Sequence, residues 1–253
     1  YTRMRSVKIL FANNLCGHFG GVEQVIAHTV AELVRRGHEC HLAYGHARPD
    51  AEVFSQAFSS ATRCTEFGWP PDGERGKTFR AITDAVKPDV VFVHKLAQLP
   101  EGVEGATDYR KVVLVHDHDL WCPTGLGYTR HNRKTCTHKA GWRCYLALAF
   151  LEKASGGPLP VKLVNIQAKI RQMARYHEFD AVLANSTFIR DRLLAGGYPL
   201  SRMHLCHPVL NQGDPVVTPV PEAPEILYVG SLIRGKGVDL LLDALHRLRC
   251  PFH

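Results

Sequence analysis

The sequence predicts an α/β protein built on a doubly wound parallel sheet, with a second, smaller unit starting near residue 225. Three observations carry that expectation. Short apolar runs of strand length recur at residues 7–12, 40–44, 90–94, 112–116 and 181–184. They read as buried runs more than as polar–apolar alternation, which is what parallel strands covered on both faces require. Segments of helical period stand between them, and strands alternating with helices imply a parallel sheet. Polar residues and glycines gather where the runs end, and sheets of this kind bind ligands at the carboxyl ends of their strands.

Taken in order, the run at 7–12 leads through a polar, glycine-bearing turn into a stretch with Val22, Val25, Ile26, Thr29, Val30 and Leu33 on one side. That spacing is the period of a helix. Gly37 stands where a C-terminal helix cap is expected, so residues 40–44 read as the second strand. Residues 78–86 read as a helix, ended by Pro88 and Asp89 before the strand at 90–94. Asn185 and Ser186 follow the strand at 181–184 and are expected to cap the next helix. Residues 161–177 read as one basic amphipathic helix, with Lys162, Lys169, Arg171 and Arg175 opposite Val164, Ile166, Ile170 and Met173. Its charged face suits water, or an anionic membrane surface at which the protein would sit peripherally.

Residues 1–208 are expected to form the first domain and 209–224, rich in proline, the linker. Residues 225–229 then read as a strand, 230–237 as a loop and 238–248 as a helix. One strand and one helix cannot enclose a core, so residues 225–253 are expected to be the truncated beginning of a second domain.

Composition narrows the class. Hydrophobic residues make up 45% of the 253, ordinary for a globular protein with a sizeable core. No run reaches the roughly 18 apolar residues of a spanning helix, and the start lacks the apolar stretch of a signal peptide. A cytoplasmic location is expected. Lysine and arginine number 31 against 24 aspartates and glutamates, an excess suited to phosphate-bearing ligands or an anionic surface. No finger spacing, recognition-helix signature or aromatic stacking motif accompanies it, so nucleic acid is not an expected partner.

Of eight cysteines, Cys16, Cys40, Cys64, Cys206 and Cys250 are scattered and read as ordinary thiols. Cys122, Cys136 and Cys144 are interspersed with His118, His131 and His138. Three readings stay open there: a tetrahedral zinc site, a disulfide, and free thiols. Free thiols are favoured, because no Cys-x-x-Cys pair pins the ends. No cofactor is otherwise expected.

The chemistry-bearing residues sit at the strand ends. Gly20 and Gly21 precede a helix, where a backbone without Cβ lets a ligand approach while helix N–H groups point at it. A ligand-free tight turn is the competing reading. Glu23, in the first turn, reads as a partner of the helix dipole. His116 ends a central strand, and with Asp117, His118 and Asp119 it makes a polar patch suited to binding hydroxyls. His94 ends the adjacent strand and reads as structural.

Three stretches stand out together: Phe19-Gly20-Gly21-Val22-Glu23 with Arg35-Arg36-Gly37-His38-Glu39; Ala184-Asn185-Ser186-Thr187-Phe188 with Gly197-Tyr198 and Leu205-Cys206-His207-Pro208; and Leu227-Tyr228-Val229-Gly230-Ser231-Leu232 with Lys236-Gly237-Val238-Asp239. In this order they resemble the retaining glycosyltransferases of family 4, whose two Rossmann-like domains face each other in the GT-B arrangement. The resemblance implies a Rossmann-like acceptor-side domain and the start of a nucleotide-sugar domain. It implies transfer of a sugar, with retention, from a nucleotide-sugar donor to a glycan or lipid-linked acceptor in polysaccharide synthesis. His116 would touch the transferred sugar, while Lys236, helped by Arg234, would stabilise the leaving diphosphate. Ser231 stands where that family commonly has arginine. Its paired glutamates have no counterpart up to residue 253, so little turnover is expected of the chain alone. A sugar-binding domain without catalysis, and a sugar-phosphate epimerase on the same fold, are the rival functions.

Overall fold

The computed structural model describes residues 5–67, 76–129, 132, 134–153, 161–208, 226–232 and 236–248. The elements of the first half are β1 (Lys8–Cys16), α1 (Gly21–Arg35), β2 (Glu39–Ala47), α2 (Ala51–Ser55), β3 (Ser60–Arg63), α3 (Phe79–Val86), β4 (Val90–Val93) and β5 (Arg110–Val115). There follow α4 (Arg143–Leu146), β6 (Leu151–Lys153), β7 (Val161–Leu163), α5 (Ile166–Arg175), β8 (Ala181–Ala184), α6 (Thr187–Gly196), β9 (Met203–Leu205) and α7 (Val238–Arg247). The chain divides into two compact units, residues 1–210 and 211–253.

The first unit holds a seven-stranded sheet in the order β3-β2-β1-β4-β5-β8-β9, with every neighbouring pair parallel. It is the Rossmann-like architecture expected. Burial on both faces explains the apolar runs: Leu10 and Ala12 enter one core with Val91, Val93, Val113 and Phe179, and Ile9 and Phe11 enter the other with Ile26, Val30 and Leu42. Successive side chains of a strand point to opposite faces, so a four-residue apolar run serves two cores at once. Helix α1 ends as its sequence indicates. Gly37 takes φ +86°, and the N–H groups of Gly37 and His38 donate to the carbonyls of Val34 and Leu33.

Some elements depart from expectation. The polar edge strand β3 and the five-residue α2 carry no apolar run or full helical period to announce them. The helix read at 161–177 is in fact two elements. Val161–Leu163 is a strand paired antiparallel with Leu151–Lys153, and α5 begins only at Ile166, where the Asn165 side chain accepts the Ala168 N–H as its N-cap. Nor do both residues after β8 cap α6: Ser186 Oγ accepts the Ile189 N–H, whereas the Asn185 amide donates to the His116 carbonyl.

Arg175, read as part of the charged face of that helix, turns inward. Its guanidinium donates to both Glu104 oxygens, at 2.9 and 2.7 Å, and to the Leu99 carbonyl at 2.6 Å. Arg175→Ala is expected to cost about 2 kcal/mol in urea unfolding, less than a fully buried pair because Glu104 keeps partial contact with water.

In the second unit, α7 follows Gly237, which takes φ +73°. Residues 226–229 form no strand: Leu227 is 87% and Val229 85% exposed. A β segment needs a neighbour to satisfy its N–H and C=O groups, and none of the described strands pairs with it. The expected linker, residues 209–224, lies outside the described residues.

Candidate functional site

The strand order places the candidate site. The chain runs outward from β1 through β2 to β3, then returns to β4 on the other side of β1. A crevice opens at such a reversal, outside the carboxyl ends of the two central strands. Three strand exits converge there: Asn13 and Asn14 in β1, His94 and Lys95 after β4, and the segment from His116 to Asp119 after β5.

Asn13 organises this edge. It is wholly buried, donates through Nδ2 to Leu15 O (2.9 Å) and Glu23 Oε1 (3.1 Å), and accepts the Lys95 N–H through Oδ1 (3.2 Å). Asn14 adds a second clasp, its N–H donating to Lys95 O and its Oδ1 accepting the Ala97 N–H. Glu23 is more than a helix-dipole partner. It is buried, and its second oxygen accepts the Gly20 N–H at 3.0 Å, so a continuous hydrogen-bonded path joins the glycine loop to the β4 exit.

That path leads to the charged part of the edge. The Lys95 ammonium pairs with Asp117 and, at 3.2 Å, with Asp119, and the Asp119 N–H donates to Asp117 Oδ1. The partial burial of Lys95 opposes its charge, but the two carboxylates outweigh it and hold its pKa up. The carboxylates diverge. Although desolvation pushes upward, the lysine contact holds Asp117 below the usual range, while lost hydration and the neighbouring Asp117 charge raise Asp119.

Beside this cluster stand two neutral histidines. His94 Nδ1 and His116 Nε2 are 3.0 Å apart, their rings stack at 5.2 Å, and His94 also lies against Phe11 and Phe92. Burial drives His94 well below its ordinary pKa and takes His116 down to about 4. His94 Nε2 is buried with no partner among the described residues. A cavity of about 20 Å³, room for about one water, is lined by both histidines together with Lys95, Asp117, Asp119 and Tyr176.

The expected site residues fare differently. His116 and Asp119 line one cavity, and the hydrogen-bond path connects Gly20 to the same edge. His118 is absent from that lining. It packs edge-on to Trp121 at 5.0 Å and Phe188 at 6.2 Å, beneath Gly127, where an added Cβ would come within 2.9 Å of its ring. Lys236 is exposed in the second unit, directly before Gly237, and Arg234 lies outside the described residues. Sequence reading missed Asn13 and Lys95. The Asn-Asn pair closing the first apolar run was the available signal for Asn13; Lys95 offered none.

The glycine loop was open to a ligand-free reading, in which a turn or a close contact demands the glycines. Gly17 meets that description, with φ +131° and Asp50 and Arg48 atoms within 2.6 Å of any added Cβ. Gly20 and Gly21 do not. Gly20 is extended, and a Cβ on Gly21 would meet nothing within 4 Å.

In the cysteine-bearing loop, Cys122, Cys136 and Cys144 are free thiols, and Cys144 is raised by burial and then by the other two nearby. Among the described residues no group of three His, Cys, Asp or Glu side chains is arranged to hold a metal ion. His131 lies outside the described residues.

A parallel sheet with polar strand ends at its reversal point defines an α/β domain of the Rossmann-like class. Residues 19–211 match the model of Glycosyltransferase Family 4, and the chain belongs to that family. No curated protein matches it in a sequence search. Among solved structures it is similar to the lipopolysaccharide outer core galactosyltransferase WaaB, with 15% identity and a TM-score of 0.53, covering 97% of this chain and 59% of WaaB. It is also similar to the spinosyn forosaminyltransferase SpnP (16% identity, TM-score 0.48, 98% and 65% covered) and to Anabaena Alr3699/HepE in complex with UDP (14%, 0.46, 80% and 44%). The WaaB likeness shows the GT-B type of fold. The chain spans between 44% and 65% of the length of these structures.

Proposed function

We propose that this chain supplies the acceptor-side wall of a glycosyltransferase that moves a sugar, with retention, from a nucleotide-sugar donor to a glycan or lipid-linked acceptor. The observation that carries the reading is the neutral His94–His116 pair set beside the Lys95–Asp117–Asp119 cluster at the sheet's reversal point. We assign the proton of His94 to Nδ1, because an orphaned buried acceptor is cheaper than an orphaned buried N–H. His116 Nε2 then accepts, and its Nδ1 carries the hydrogen. A neutral imidazole N–H is a donor for a sugar hydroxyl, and Asp119 offers acceptor oxygens beside it.

Transfer needs charge on the departing diphosphate to be stabilised. In this proposal Lys236 and Arg234 supply fixed positive charge, and the leaving phosphate oxygen takes the acceptor's proton as the new glycosidic bond forms. No strong protein base is then required. Asp117 and Asp119 bind and orient.

The open space above Gly21 supports close approach of a ligand to the N-terminus of α1. Gly21→Ala is expected to stabilise the fold by about 0.5–1 kcal/mol, since alanine is the better helix residue, and yet to lower kcat/KM. Thermal melts of the chain, and a transfer assay over a panel of nucleotide sugars with a form that carries a complete nucleotide-sugar domain, measure both. A stabilised variant with undiminished kcat/KM would remove the glycine loop from the site. Absence of transfer and of nucleotide-sugar binding across the panel in a form that carries a complete nucleotide-sugar domain would leave a saccharide-binding domain instead.

A further inference from the structure

The positive charge of this protein is concentrated in one stretch. Residues 129–175 hold ten of the 31 lysines and arginines but one of the 24 acidic residues, a local excess of nine where the whole chain has seven. That one acid, Glu152, pairs with Lys162 at 3.3 Å. The stretch begins in the cysteine-bearing loop and continues through α4, the strands β6 and β7, and α5. Lys134, Lys139, Arg143, Lys162, Lys169 and Arg171 are all exposed.

The same stretch displays large apolar side chains to solvent. Trp142 is 66%, Leu146 71% and Leu163 78% exposed, with Leu148 half exposed between them. Single exposed leucines are ordinary; a tryptophan and several leucines on neighbouring elements are not. The elements are tied together. The Ala147 N–H donates to Arg143 O, Leu151 N–H to Leu148 O and Val164 N–H to Phe150 O, while the Tyr145 and Phe150 rings stack at 6.2 Å. Leu148 itself takes φ +52°, a conformation that costs a branched residue about 1 kcal/mol and persists only where the surroundings hold it.

We infer that α4 and the paired strands β6 and β7, followed in the chain by the exposed cations of α5, form a docking surface for an anionic lipid bilayer. Charge selects the occupant. A surface carrying this excess of lysine and arginine repels most basic partners and is attracted to anionic headgroups, while an exposed tryptophan and leucines insert at the headgroup–acyl boundary. Arg143 lies 5.6 Å over the Trp142 ring, which joins a headgroup-binding cation to an interfacial aromatic. Among the described residues no helix is long and apolar enough to cross a membrane, and the contact inferred is made by side chains at the surface. The surface differs from the helix at 161–177 read from sequence: Arg175 is committed to Glu104, and Lys162 lies on a strand.

Flotation with vesicles of phosphatidylcholine, with and without phosphatidylglycerol, tests it. Binding is expected to the mixed vesicles alone, to weaken at high salt, and to blue-shift tryptophan emission in the native protein but not in Trp142→Phe. The double variants Trp142→Ser/Leu163→Ser and Lys139→Glu/Arg143→Glu are each expected to lower partitioning by at least about tenfold, with melting temperatures unchanged because these side chains are exposed. No flotation would overturn the inference, as would equal binding to neutral vesicles or undiminished binding by both double variants. A lipid-free dimer that Trp142→Ser/Leu163→Ser dissociates would assign the face to a second copy of the chain and overturn it as well.

Discussion

Replacing His116 with alanine is expected to lower kcat/KM for sugar transfer by about 100- to 1,000-fold, the range seen when a single pre-aimed donor is removed from an active site. The reason lies in how the ring is held. His94 fixes it from behind through a 3.0 Å hydrogen bond, the backbone carbonyl of His116 accepts from Asn185, and the aromatic layer of Phe11 and Phe92 holds His94 itself. In the proposed role the donor would therefore meet a sugar hydroxyl without reorganising. His116→Asn, which keeps an N–H donor on a shorter side chain, is expected to retain more activity than alanine. Steady-state kinetics with the donor that supports turnover in the native protein measure the effect. Equal kcat/KM for native and alanine forms would sink the assigned role.

Stability is expected to fall by about 3 kcal/mol as pH drops from about 6.5 to about 4, because of His116 alone. The sign follows from its depressed pKa of about 4. Across that window the unfolded chain binds a proton that the folded chain refuses, so acid favours unfolding. The contribution is complete above the ordinary histidine pKa and gone below the folded one. His94, lowered further by deeper burial and then by His116, acts in the same direction. Two protonated rings would also place like charges and two N–H donors against each other. Urea unfolding across this pH range in the native protein and in His116→Gln measures the effect. An equally steep acid loss in His116→Gln would assign the sensitivity to other groups.

The contrast between what sequence shows and what it hides is clear in particular residues. The β4 residues Val90–Val93 stand out because one face of this central parallel strand is buried and the other partly buried, so all four side chains are apolar. The end of α1 is legible because Gly37 must adopt a left-handed conformation. The edge strand β3, with its polar Ser60, Thr62 and Arg63, obeys neither constraint and is invisible. At the site, His116 and Asp119 are recognisable as polar residues at a strand exit, but Lys95 is one lysine among many until β4 pairs with β5 and the exits come together.

By itself the sequence determined the alternation of strands and helices, the caps at Gly37 and Ser186, and the ends at which polar residues gather. These are consequences of near neighbours: side-chain period, turn conformation and the need to satisfy the N–H groups of a helix start. Tertiary structure alone decided that His94 and His116, 22 positions apart, become a hydrogen-bonded neutral pair, and that Asn13 binds Glu23 and Lys95 at once. It also decided that Arg175 turns inward to Glu104 while Trp142 and Leu163 face out. Sheet order and register bring such residues together, and burial then sets their protonation; neither is encoded in the spacing of residues along the chain.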